Sequence, residues 1–149
     1  QKFGGSKNAS TIYDSINEAG KKIGIHFQFD KIKRTPNTHS SHKLLAFGHK
    51  KGKQNQIIES LFYSYFIEGK DIGQLEELIS IATQNNLDEK ETNLYLTSSQ
   101  DKESLFAEEM QARKMGIRGV PCFIIDKKYV LFGAQEKDKF INIIDNLIK

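Results

Sequence analysis

Cysteine is almost absent from this chain, tryptophan is missing, and neither sign of charge is strongly in excess. The single cysteine of the 149 residues, Cys122, excludes an internal disulfide and a cysteine-rich zinc site, and it fits a reducing compartment. No apolar run approaches the ~18 residues that a membrane-spanning helix needs. The formal net charge of +3 is too small to indicate a surface dedicated to nucleic acid. We therefore predict neither a membrane nor a nucleic-acid partner.

The chain does have enough apolar material for a core, with 38% hydrophobic and 28% charged residues. The clearest helix is a wide apolar stripe from Ile57 to Phe66 that ends at Gly69. We predict that its aromatic members Phe62, Tyr65 and Phe66 lie in a core rather than in a ligand pocket, with exposure of part of the stripe in a truncated chain as the alternative. Six more helices are expected near residues 6–23, 40–51, 71–85, 88–96, 99–115 and 140–148, with Thr38, Asp71 and Asp88 as N-caps.

Strand-like segments are short and few. Residues 122–125 and 129–132 are continuous apolar runs joined by a polar turn, which predicts a hairpin, and residues 25–29 alternate like a third strand. Apolar strands without alternation are normally buried on both faces of a larger sheet, and an isolated hairpin is marginal in water. The sequence thus predicts a sheet of which part is supplied from elsewhere, first of all by residues upstream of Gln1.

Five short motifs along the chain resemble the DsbA family, and more closely its FrnE-like branch of cytoplasmic dithiol oxidoreductases. They are Lys2-Phe3-Gly4, Asn37-Thr38 with His42 and Leu44, residues 66–72, residues 116–121 and Phe132-Gly133-Ala134-Gln135. The resemblance implies an α/β, thioredoxin-like fold with a large helical insertion. We expect the helical insertion domain to span residues 1–115 and the C-terminal part of the thioredoxin-like domain to span residues 116–149.

The same resemblance implies thiol–disulfide exchange on protein or small-molecule disulfides. Pro121 corresponds to the family's cis-proline and Val120 to the residue that pairs with an extended substrate. The family's Cys-x-x-Cys pair is missing from this sequence, and exchange needs both an attacking thiolate and a resolving cysteine. We therefore expect a portion of a longer oxidoreductase that holds no catalytic residue, is inactive alone and needs no bound cofactor.

Other candidate residues have a structural and a functional interpretation. Cys122 is expected to pack in the strand, with a reactive or mixed-disulfide role as the alternative. Asn37 and His42 are expected to cap a helix or bond across the domain junction, with a substrate-site role as the alternative. His39, His42 and His49 fall near one helix face, but no carboxylate lies close by in sequence, so we predict no metal site.

Two other functions stay open at this stage. A glutathione-dependent isomerase of the 2-hydroxychromene-2-carboxylate type shares the fold and would use glutathione, with a serine in place of the first family cysteine. A non-catalytic, chaperone-like module would bind peptides through apolar helical surface and the proline loop. A homodimer is a further alternative, and the resemblance favours the cytoplasm over the periplasm.

Overall fold

The computed structural model describes residues 6–148, with only the backbone described for residues 6–10. Its helices follow the predicted order, with one 3-10 turn and a hairpin between them. They are α1 (Ser6–Lys22), a 3-10 helix (Phe29–Lys31), α2 (His39–Lys50), α3 (Gln54–Phe66), α4 (Leu75–Gln84), α5 (Glu89–Thr97), α6 (Lys102–Lys114), β1 (Cys122–Ile125), β2 (Tyr129–Phe132) and α7 (Lys137–Ile148). Among the described residues, no helix combines the length and the apolar character needed to cross a membrane.

The chain divides into two compact units, with the division after Lys102. The sequence prediction set the boundary at 115/116, at the end of α6, whereas this division falls at the start of that helix. The turn after α6 closes back on it, because the amide of Ile117 donates to the carbonyl of Ala112 at 3.1 Å. Helix α6 therefore groups with the hairpin and α7 in the second unit.

The core of the first unit lies among α2, α3, α4 and α5. Leu44, Ile57, Leu78 and Ile81 are fully buried there, one or two from each of three helices. Burial of each such side chain contributes about 1.5–3 kcal/mol to folding. Ile57, the first residue of the predicted apolar stripe, thus points inward as expected.

The predicted N-caps have mixed outcomes. Asp88 caps α5 as expected, since its Oδ1 accepts from the amide of Glu91 at 2.8 Å. Thr38 stands at the N-cap of α2, but its side chain makes no capping bond. The prediction for Asp71 is wrong, because α4 begins only at Leu75 and the Asp71 carboxylate bonds within the preceding turn.

The strand predicted at residues 25–29 does not form. The segment is irregular and passes into the 3-10 helix, and the amide of Gln28 donates one bond to the carbonyl of Phe66 at 2.8 Å. Phe27 and Phe29 stack with ring centroids 5.2 Å apart and both meet Phe66 edge-on. The alternation therefore arises from packing in an aromatic cluster and not from strand pairing.

The hairpin of the second unit matches its prediction. Strands β1 and β2 pair antiparallel with Cys122 opposite Phe132. Three residues, 126–128, connect the strands; Asp126 and Lys127 have φ of 50° and 56°, and the amide of Lys128 donates to the carbonyl of Ile125 at 3.1 Å, which closes the turn. Phe140 of α7 contacts the hairpin, since its ring meets that of Phe123 edge-on at a centroid distance of 4.9 Å.

The opposite face of the hairpin is apolar and half exposed. Ile124 and Val130 stand directly opposite each other in the ladder, and they are 43% and 47% exposed. Within residues 6–148, β1 hydrogen-bonds to β2 alone, so its other edge is open. The two strands are therefore as apolar as strands buried in a larger sheet, although the side chains on this face are half exposed.

Candidate functional site

The segment Val120-Pro121 lies immediately before β1. Its peptide bond is cis, as the family resemblance implies. The carbonyl of Pro121 accepts a hydrogen bond of 2.8 Å from the amide of Gly133, which ties the segment to the residue after β2. Val120 is 91% exposed. It comes two residues before β1, the strand whose outer edge is open.

Cys122 is the first residue of β1. It is a free, half-buried cysteine, paired in the ladder with Phe132. By strand alternation it shares the half-exposed face with Ile124 and Val130. Both roles predicted for this thiol, packing and reaction, stay predictions.

Asn37 and His42 lie at the start of α2, in the first unit. The Asn37 Oδ1 accepts from the amide of His39 at 3.1 Å, which supplies the helix-end bond that Thr38 does not make. The Nδ1–H of His42 donates to the Thr38 carbonyl at 2.7 Å, because a carbonyl can only accept. Both residues thus bond locally at a helix terminus, while Val120, Pro121 and Cys122 belong to the second unit.

No metal site was predicted from the histidines of α2. Across residues 6–148, no group of three His, Cys, Asp or Glu side chains is placed to hold a metal ion.

A surface groove in the first unit was missed by sequence reasoning. It has a volume of about 600 Å³ and runs between residues 24–27 and one face of α3. Phe62 and Tyr63 line it and are 53% and 57% exposed. The prediction that Phe62 lies in the core is therefore wrong, because the inward face of α3 is taken by Ile57 and Leu61. The only sequence signal was an apolar stripe wider than one interface needs.

The first unit also contains a buried lysine, Lys43 of α2. Lys43 is 8% exposed, and its ammonium donates to the carbonyl of Leu96 at 3.1 Å and to that of Ser98. These carbonyls stand at the end of α5, where a helix leaves acceptors without partners. Burial lowers the pKa of Lys43. Its position one turn before the buried Phe47 was the signal that could have placed it inward.

Asp101 accepts hydrogen bonds beside this lysine. Its carboxylate receives the ammonium of Lys50 and the hydroxyl of Tyr95. The hydrogen bonds from Lys50 and then Tyr95 hold the pKa of Asp101 below its usual 3.8. Burial, followed by the bond to Asp101, raises the pKa of Tyr95.

The comparisons with known proteins agree with this architecture. The model of the DSBA-like thioredoxin domain matches residues 6–145. The chain is similar in structure to a probable DsbA oxidoreductase from Streptomyces coelicolor, with a TM-score of 0.84 and 22% sequence identity over 97% of this chain. It spans 63% of the length of that chain. None of the curated proteins matches this sequence.

The family model covers nearly all of the described residues, and the structural match shows the thioredoxin-like fold in a mainly helical form. The resemblance drawn from five short motifs is thereby confirmed at the level of the DsbA family. This chain belongs to the DSBA-like thioredoxin domain family.

Proposed function

We propose that this chain is the substrate-aligning part of a thiol–disulfide oxidoreductase that acts on protein or small-molecule disulfides in the cytoplasm. The observation that supports the proposal is the exposed Val120 before β1, whose free edge can pair with an extended substrate segment. The sequence holds one cysteine, so the attacking and resolving thiols come from elsewhere in a longer polypeptide.

In this reaction one thiolate attacks a substrate sulfur and the disulfide bond breaks, which releases the other substrate sulfur as a thiolate. The resolving thiolate of the enzyme then attacks the resulting mixed disulfide and frees the first substrate sulfur. Two electrons pass to the substrate and the enzyme pair becomes a disulfide, which an external dithiol reduces again. The part of Val120 is to hold the substrate backbone beside the reacting sulfurs.

The test is insulin reduction driven by dithiothreitol, with the product of the native gene and with the 149-residue chain. We expect the native product to be heavier than this chain, to contain a Cys-x-x-Cys pair and to accelerate reduction, whereas this chain alone does not. A native product without a cysteine pair, or turnover by this chain alone, refutes the proposal.

A matched pair of variants in the native product tests the role of Val120. Val120→Pro removes the amide that pairs with substrate, and we expect kcat/KM to fall at least tenfold. Val120→Ala keeps the amide and is expected to stay within about threefold of wild type, since only side-chain contact is lost. Thermal unfolding of both variants shows whether they fold, and equal rates for the two folded variants contradict the assigned role.

A second candidate is a peptide-binding module without catalysis, and the apolar groove on α3 favours it. The same insulin assay separates the two functions, since turnover by the native product excludes a purely binding role. A glutathione-dependent isomerase has no comparable support from the described residues.

A further inference from the structure

The groove between residues 24–27 and α3 is preformed in the unliganded chain. The amide of Ile25 donates to the carbonyl of Gly20 at 2.9 Å, and that of Gln28 donates to Phe66 at 2.8 Å. A Cβ on Gly20 would lie 2.7 Å from the ring of Phe27, so the wall is packed tightly against α1. A site that is already formed loses little conformational entropy on binding.

The floor of the groove is one face of α3. Glu59, Phe62, Tyr63 and Phe66 are spaced by three, one and three residues, which places them on the same side of a helix. The volume of about 600 Å³ lies within the range of ligand sites, whose lining is mostly apolar with a few polar groups.

Of the described residues that line the groove, Glu59 is the only acidic one, its side chain is exposed, and no lysine or arginine is among them. A carboxylate beside exposed aromatic rings favours a cation for two reasons. The negative charge attracts the cation, and so do the faces of the aromatic rings. The same arrangement repels an acidic group. The apolar surface therefore supplies affinity, and Glu59 supplies a preference among ligands.

We propose that this groove binds extended polypeptide segments that have an apolar side chain next to a lysine or arginine, and that Glu59 determines this preference. The inference rests on the proposed function, because it names the class of protein substrate that such an oxidoreductase would hold. It assigns a binding surface within the first unit, separate in sequence from Val120-Pro121.

The test measures binding of three fluorescein-labelled peptides to the 149-residue chain by anisotropy. The peptides share a Leu-Phe-Leu centre and are flanked by lysine, glutamine or glutamate. We expect the lysine-flanked peptide to bind about fivefold more tightly than the glutamate-flanked one, the range of an exposed charge pair. High salt should abolish this difference, because it screens exposed charges.

Variants of the chain then assign the effect to the groove. Glu59→Gln should bring the three affinities within about twofold of one another, and Glu59→Lys should reverse their order. The matched control Glu76→Lys changes an exposed glutamate of α4 and should leave the order unchanged. Phe62→Ala should weaken all three peptides about fivefold, since an aromatic anchor is lost.

Some outcomes overturn the inference. They are an unchanged order of affinities in folded Glu59→Gln, no binding of any peptide, and dimerisation of the chain that competes with peptide and so makes a second copy the occupant. Circular dichroism melts establish that each variant is folded. No thiol reacts in the peptide-binding assay, so the two proposals can fail separately. If the charge preference is found but insulin is not reduced, thiol–disulfide exchange is refuted and the groove stands. If insulin is reduced but the charge preference is absent, the groove is refuted and exchange stands.

Discussion

Replacing Lys43 tests whether a buried ammonium stabilises the helical unit. Lys43→Met keeps the apolar stem and removes the donor to the carbonyls of Leu96 and Ser98. Each hydrogen bond from a charged donor contributes about 1.5–3 kcal/mol, but the desolvation that lowers the pKa of Lys43 offsets part of this. We expect a net loss of about 2 kcal/mol in the free energy of unfolding.

Lys43→Ala removes three methylenes of the stem as well. At about 0.8 kcal/mol per buried methylene, the total loss becomes about 4 kcal/mol. The control is Lys90→Met, at an exposed lysine on α5, for which we expect a change within about 0.5 kcal/mol.

Urea unfolding followed by circular dichroism measures these differences. With a slope of about 2 kcal/mol per molar urea, Lys43→Met shifts the midpoint down by about 1 M. A midpoint equal to or above that of the wild type would mean that the cost of burying the ammonium outweighs its bonds. That result would refute the assignment of Lys43 as a stabilising helix cap.

Three further predictions concern other features of the first unit. Leu78→Ala, at a fully buried site, should cost about 2–5 kcal/mol in urea unfolding, whereas the 71% exposed Leu94→Ala should cost under about 1 kcal/mol, and equal costs contradict the assigned core. Gly69→Ala should lower stability by at least ~2 kcal/mol in the same assay, because φ is +73° and the new Cβ would lie 2.5 Å from that of Lys31; a neutral result refutes this close approach. Asp101 has a pKa below 3.8 in the folded protein, so its stabilising contribution is present above pH 3.8 and is lost as the pH falls through the lowered value. The stability difference between wild type and Asp101→Asn should therefore shrink in acid, and a difference that grows in acid rejects the sign.

The helices could be predicted because their apolar positions repeat with the helical period, and burial in the core enforces that repeat. Ile57 and Leu61 of α3 show it directly, since both point inward as their spacing indicates. Residues 25–29 show where the inference fails. Their alternating pattern is real, but it reflects side chains in an aromatic cluster, and no neighbouring strand is present in the described chain to pair with it.

The candidate site could be predicted only in part. Val120 and Pro121 stand in a contiguous motif, so family resemblance locates them without a structure. The groove on α3 and the partners of Lys43 depend on tertiary contacts between distant segments, and one-dimensional periodicity does not reveal which apolar position is left uncovered. Phe62 has the spacing of a core residue, but Ile57 and Leu61 occupy the inward face of α3 and Phe62 is left exposed.

The cap that Lys43 places on α5 has a consequence for cooperativity. Helix α5 has nine residues, a length at which an isolated helix is marginal in water. The Leu96 carbonyl near its C-terminus is satisfied by an ammonium 53 positions earlier in the chain. The last turn of α5 is thus complete only when α2 is in place, and the two helices should open together in amide exchange as a single foldon.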